Sequence, residues 1–242
     1  MTMRLSGKTV LVTGGTDGIG AQLIRQLRGK GATVITHGRN PARVAATRAE
    51  GFEVIEADLS VPEGVEALLA ALADRPIDAL VNNAGAGTNY DFRSGEVDLL
   101  GAERTYYLNL HAPTQIIARL LPMLKSRGEA IVVNVTSGLA LAPNAGSPVY
   151  CASKAGLRSY TMGIRAQLKG TGVKVLEALP PLVDTQMTAG RGSNKMSAAE
   201  CAGQIVAGME SGKETINVGM VKFLQLVHSV SPALARAVMI RF

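Results

Sequence analysis

Residues 8–20 (Lys8-Thr9-Val10-Leu11-Val12-Thr13-Gly14-Gly15-Thr16-Asp17-Gly18-Ile19-Gly20) restrict the fold more than any other stretch. The β-branched run Thr9 to Thr13 reads as a buried strand, and it breaks into a glycine-rich turn. A helical pattern then begins, with Ile19, Leu23, Ile24 and Leu27 on one face. Strand, turn and helix N-terminus in that order make a cradle for a pyrophosphate. Backbone N–H groups and the positive end of the helix dipole face the anion, and glycines let the backbone approach it. The glycines are Gly14, Gly18 and Gly20, a G-x-x-x-G-x-G spacing rather than G-x-G-x-x-G. A plain tight turn is the alternative.

The rest of the chain repeats the alternation. Strand patterns fall at 8–13, 32–37, 53–57, 78–82, 130–136, 173–178 and 214–218. Helical patterns fall near 18–30, 41–49, 63–74, 98–126, 148–170 and 198–211. Such an order predicts an α/β fold: a doubly wound parallel sheet of about seven strands, helices on both faces, and ligands at the carboxyl ends of the strands. At 242 residues, one domain spanning 1–242 is expected. No apolar run is long enough to span a membrane, and the N-terminus enters the first strand too soon for a signal peptide. Cys151 and Cys201 are too few for a disulfide framework and lack metal-ligand spacing, so no metal and a cytoplasmic location are expected. The net charge of +6 is spread thinly, and no Trp accompanies four Phe and five Tyr. That combination argues against nucleic acid and fits a small anionic ligand.

Chemistry enters at Tyr150-Cys151-Ala152-Ser153-Lys154, thirteen residues after Ser137. Positions i and i+4 share a helix face, so phenol and ammonium can stand side by side. A phenol titrates near ~10, and a neighbouring cation favours its ionised form. A tyrosine so held can exchange a proton with an alcohol or carbonyl, and the Ser137 hydroxyl can meet the same oxygen.

Together these residues resemble the short-chain dehydrogenase/reductase family over nearly the whole chain. Thr13-Gly14-x-x-x-Gly18-Ile19-Gly20 resembles its cofactor loop, and Asp58-Leu59 the pair at the adenine. Asn82-Asn83-Ala84-Gly85 resembles its turn after the fourth strand. Asn109, thirteen residues before Pro122, resembles the helix asparagine and helix proline. One departure is Pro180-Pro181, where the family usually has Pro-Gly; proline stiffens that loop and removes a donor. With the tail Ser231-Pro232-Ala233-Leu234-Ala235, it is similar to a bacterial subgroup of oxidoreductases of the D-alanylation-operon type.

The resemblance implies a Rossmann-like fold and hydride transfer between a nicotinamide and a carbonyl or secondary alcohol. Tyr150 is then the general acid/base and Ser137 polarises the carbonyl oxygen. Lys154 lowers the tyrosine pKa and holds the ribose. Asn109 bends its helix and holds a water leading to Lys154. Cofactor contacts are expected from Gly14, Thr16, Asp17, Gly18, Ile19, Gly20, Arg39, Asp58, Leu59, Asn83, Ala84, Gly85, Tyr150, Lys154, Pro180, Val183 and Thr185. At the end of the second strand, Gly38 stands where an NAD-specific site places an acid, and Arg39 follows it. A guanidinium can fork onto a 2′-phosphate, so NADP(H) is favoured, with Asp17 mildly unfavourable.

Residues 186–198, small and flexible, read as a substrate lid in which Arg191 and Lys195 can meet an anionic substrate, solvated charges being the alternative. Leu139, Leu141 and Val149 suggest an apolar wall, and Tyr90, Tyr106 and Tyr107 can line the pocket or pack. His37, His111, His228 and Cys151 read as non-catalytic. Residues 220–242 read as an amphipathic tail broken near Ser231-Pro232. It is expected to pack over the pocket or a neighbouring subunit, with contact to an anionic membrane surface the less favoured role. A homodimer or homotetramer is implied by the resemblance. The alternative function is a catalytically silent NADP(H)-binding regulator or scaffold, one that its C-terminal tail could place on a membrane surface; a dehydratase or epimerase would typically need a longer C-terminal substrate domain.

Overall fold

A computed structural model of the chain describes residues 4–88 and 90–241. Met1 to Met3, at the start of the segment read as having no signal peptide, and Phe242 of the amphipathic tail lie outside the described residues. Seven parallel strands form the central sheet: β1 (Thr9–Val12), β2 (Thr33–Gly38), β3 (Glu53–Glu56), β4 (Ala79–Asn82), β5 (Ala130–Val135), β6 (Val173–Leu179) and β7 (Thr215–Asn217). Their spatial order is β7-β6-β5-β4-β1-β2-β3. Each lies within one residue of its expected bounds. The order reverses between β1 and β4, and a crevice opens there at the carboxyl edge.

Side chains alternate across the sheet because the strand period is two. Val10, Val12, Val34, Val54, Val81 and Val133 face one layer, where helices α1 (Gly18–Gly29), α2 (Pro41–Ala49) and α7 (Ala198–Ser211) pack. Leu11, Ile35, Leu80, Val132 and Val175 face the other. There α3 (Pro62–Leu72), α5 (Ala112–Ser126) and α6 (Pro148–Gln167) cover the sheet, and α4 (Leu99–Tyr106) precedes α5. Helix starts follow their caps: Asp17, Asn40 and Ser197 each accept from a backbone N–H of the first turn.

The sequence pattern at 98–126 reads as one helix, and the structure divides it. A single π turn, Tyr107–His111, joins α4 to α5 and carries Asn109. The tail forms two helices, α8 (Val221–Val230) and α9 (Pro232–Met239), divided at Ser231. Val221 and Leu224 pack on Leu141 and Leu179, whereas Phe223, Leu226 and Val230 stay exposed. Among the described residues no helix is long and apolar enough to cross a membrane.

Candidate functional site

A cavity of about 560 Å³ runs along the carboxyl edge, lined at one end by Gly14 and by Thr16 to Gly20 and at the other by Tyr150. The glycine loop owes its shape to two positions. Gly14 has φ +68°, where a side chain is strained. At Gly20 a Cβ would sit 2.0 Å from the Gly14 carbonyl oxygen, so only glycine lets α1 come this close to the loop. The loop is tied to β4: the Asn83 amide donates to the carbonyls of Thr13 and Gly14 (both 3.1 Å), and the Thr13 hydroxyl accepts from the N–H groups of Asn83 and Ala84. His37 also serves the loop. Its Nδ1 accepts from the Gly14 N–H (3.1 Å), so the proton sits on Nε2 and is donated to the Ala57 carbonyl (2.9 Å). Burial holds His37 below its ordinary pKa, which keeps it neutral in this role.

At the Gly38 end the site is charged and open. Arg39 reaches Asp58 (3.5 Å), and Arg43, from the first turn of α2, pairs with Asp17 (2.9 Å). Burial raises the Asp58 pKa, but the N–H and hydroxyl of Ser60 and the Arg39 charge outweigh it and keep the carboxylate ionised. A Cβ on Gly38 would lie 2.4 Å from the Thr16 methyl, so Thr16 already fills the space an acidic side chain there would need. Arg43 is a second cation lining the cavity that sequence reasoning passed over. Its signal was position: Asn40-Pro41-Ala42-Arg43 places it at the third residue of a helix starting directly beyond β2.

At the opposite end the polar groups are buried. Lys154 is 3% exposed and its Nζ donates to the Val135 carbonyl (2.9 Å). Asn109 is fully buried. Its Oδ1 accepts from the Ala86 N–H (2.9 Å), and its Nδ2 donates to the Ala86 carbonyl (2.8 Å) and the Ser153 hydroxyl (2.9 Å). It thus clamps the loop after β4 to α6, and the π turn supplies the displacement that aims it there. Ser153, which sequence reasoning did not single out, donates to the Tyr150 carbonyl (2.8 Å). A Cβ on Gly85 would lie 3.2 Å from the Asn109 oxygen and 3.3 Å from Lys154 Nζ, so glycine leaves these two groups room. Beneath Ser137, the Thr136 hydroxyl donates to buried Glu177 (2.7 Å), which pairs with Arg158.

The electrostatics differ from the expectation that Lys154 lowers the tyrosine pKa. Burial pushes Tyr150 up to about 12, against a hydrogen bond from Ser137 and the Arg191 charge, which pull it down. Burial also brings Lys154 down to about 8. At Tyr150 loss of hydration outweighs the Ser137 bond and the Arg191 charge, and at Lys154 it is the cause of the shift.

The cavity brings together every residue expected to touch a cofactor, along with Ser137, Tyr150 and Lys154; Asn109 stands behind its wall. The Pro180 carbonyl accepts from the Gly138 N–H (2.9 Å), and Pro181 and Val183 also line the cavity. Thr185 packs over Gly18 and caps a short turn, Gln186–Thr188. Met196–Ser197 pairs with Val183–Asp184. The expected apolar wall is corrected. Leu141 is buried under the tail, and Leu139, Leu141 and Val149 do not line the cavity; Ile19, Leu59, Leu108, Val135 and Met187 do. Nor do Tyr90, Tyr106 and Tyr107: Tyr107 stacks on His111, and Tyr90 meets Phe92 edge-on. Among the described residues no group of His, Cys, Asp or Glu could hold a metal ion.

The glycine loop, the clamp and the Tyr150 end all lie within residues 8–196, which match the family model described as short chain dehydrogenase. The chain is a short-chain dehydrogenase/reductase. It is 36% identical over 233 residues to the uncharacterized oxidoreductase DltE of Bacillus subtilis, covering 92% of each chain. It is 35% identical over 198 residues to a serine 3-dehydrogenase of Agrobacterium fabrum, covering 79% of this chain and 78% of that one. A solved short chain dehydrogenase from Burkholderia cenocepacia in complex with NADP superposes with a TM-score of 0.87 at 26% identity, over 98% of this chain and 99% of the other. The short-chain dehydrogenase/reductase described here is therefore an oxidoreductase with the parallel sheet of that family.

Proposed function

We propose that this dehydrogenase works with NADP(H) on a carbonyl or secondary alcohol, with Tyr150 as general acid and base. The bound nicotinamide supplies or accepts the hydride. Tyr150 gives its proton to the carbonyl oxygen in reduction and takes it back in oxidation; a phenol pushed up to about 12 stays protonated and ready to donate at neutral pH. Ser137 meets the same oxygen, where charge develops. Lys154, held on the Val135 carbonyl, faces the ribose, and Asn109 keeps α6 in place through Ala86 and Ser153.

The single observation carrying the reading is that the glycine loop and the Ser137–Tyr150–Lys154 group open into one cavity. The choice of NADP(H) is supported by Arg39 and Arg43 at the ribose end, by the filled space beside Gly38, and by the NADP-bound Burkholderia relative. Within this reading, residues 186–198 act as a lid, the long helices near 98–126 and 148–170 join subunits, and the protein works in the cytoplasm. The test is NADPH consumption against ketones, aldehydes, quinones and oxo acids, with NADH and Tyr150→Phe in parallel. Turnover preferring NADPH and lost in the variant is expected. Tight NADPH binding with no turnover on the whole panel would favour the silent regulator.

A further inference from the structure

Of the two basic residues of the 186–198 segment, the structure separates one from the other. Lys195 turns back onto its own segment: its Nζ donates to the Thr188 carbonyl (2.6 Å) and lies 3.7 Å from Asp184. Arg191 keeps its guanidinium free of any protein partner among the described residues, and it lines the cavity together with Tyr150. Its backbone is tied to the turn before it. The Arg191 N–H donates to the same Thr188 carbonyl (3.0 Å), and Gly192, at φ +56°, fits against Leu182.

Charge balance within the cavity shows what Arg191 lacks. The carboxylates lining it are Asp17 and Asp58, both at the Gly38 end and both already paired, with Arg43 and Arg39. Among the described residues no carboxylate lines the Tyr150 end. The segment crosses the groove from Thr185, seated over Gly18, to Arg191, whose positive charge is felt at the Tyr150 phenol. A guanidinium without a protein partner that lines the same cavity as Tyr150, with no acid opposite among the described residues, can receive an anion from the ligand, and its fork matches a carboxylate.

We propose that the substrate carries a carboxylate close to the reacting carbon, as in a short 2- or 3-oxo acid or the matching hydroxy acid, and that Arg191 binds it. This rests on the oxidoreductase reading above and names its substrate class. The reaction balances with groups already assigned: hydride goes to the carbonyl carbon, a proton from Tyr150 to its oxygen, and the carboxylate is unchanged.

The test titrates the NADPH complex with short 2- and 3-oxo acids and their methyl esters, following NADPH fluorescence for binding and absorbance for consumption. The acid is expected to bind roughly ten- to a hundred-fold tighter than its ester. Arg191→Met should collapse that ratio towards one, Arg191→Lys restore part of it, and Lys195→Met leave it unchanged. An acid no tighter than its ester in the unmodified protein would overturn the proposal. So would an Arg191→Met variant that weakens NADPH binding itself and leaves the acid-to-ester ratio intact, since the guanidinium would then serve the cofactor phosphates. Acid binding that depends on Arg191 but consumes no NADPH would sustain the carboxylate site and sink the hydride-transfer reading.

Discussion

At the Gly38 end of the groove, the side chains of Arg39, Asp58, Arg43 and Asp17 are between 39% and 56% exposed, and each cation has a carboxylate partner. At the Tyr150 end Asn109, Ser153 and Lys154 are at most 3% exposed and are satisfied by backbone or by one another. One end is solvated and exchangeable. The other is buried and polar, and there removing Asn109 strands its partners at Ala86 and Ser153. The open end can trade its protein ion pairs for a phosphate at small cost, because exposed pairs contribute little. The buried end is held by its own hydrogen bonds to backbone and side chains.

The largest effect should come from breaking the buried end. Tyr150→Phe is expected to lower kcat/KM by roughly 10²- to 10⁴-fold while leaving NADPH affinity nearly intact, as measured by steady-state kinetics beside fluorescence titration. Equal losses in both would show that the phenol holds cofactor rather than moving a proton. Next comes Asn109→Ala, which strands the N–H and carbonyl of Ala86 and one bond of Ser153. A loss of about 3 kcal/mol in urea unfolding is expected; a change within a few tenths would mean that the clamp is not structural.

Lys154 adds a pH dependence of its own, opposite in sign to that of the buried Cys201 thiol, which burial pushes up to about 12. The folded lysine pKa of about 8 lies below the ordinary lysine value of 10.5, so between them the unfolded chain holds a proton that the folded chain has released. Stability from this group therefore rises with pH across that window, and the charged form is disfavoured in the fold below it. Lys154→Met should remove that rising contribution, so the variant gains less stability, or loses it, between pH 7 and 9.5. An unchanged slope would place the titration elsewhere.

Effects at the open end should be smaller and sensitive to salt. Arg39→Ala or Arg43→Ala is expected to weaken NADPH binding roughly ten-fold, with NADH little affected and the difference shrinking at high ionic strength. Smallest of all is Asp17→Asn. Asparagine still caps α1, so stability should hold within a few tenths of a kcal/mol, while Arg43 loses its partner and NADPH binds a few-fold tighter. Tighter NADH binding by the same factor would count against a phosphate role for Arg43.

Strand bounds were legible because β-branched runs such as Thr9 to Thr13 and Ile131 to Val135 alternate faithfully between two covered faces. The residues lining the cavity were legible in another way, through motifs whose spacing matches local geometry: a glycine turn on a helix start, a Tyr and a Lys one turn apart. Leu141 and Val149 were misjudged because an apolar residue near a site in sequence carries no sign of which way it faces; here the tail takes Leu141. Arg43 escaped notice since its partner, Asp17, lies on a different element.

The sequence by itself determined the order of strands and helices, the glycine loop, and most of the side chains that line the cavity, since periodicity, capping and motif spacing are local properties. Only the tertiary structure decided how Asn109 reaches across 23 residues to Ala86, that Lys195 folds onto its own segment while Arg191 stays free, and where Tyr150 and Lys154 titrate. Those outcomes depend on which groups lose water and which charges come to face one another. Both are set when distant segments pack.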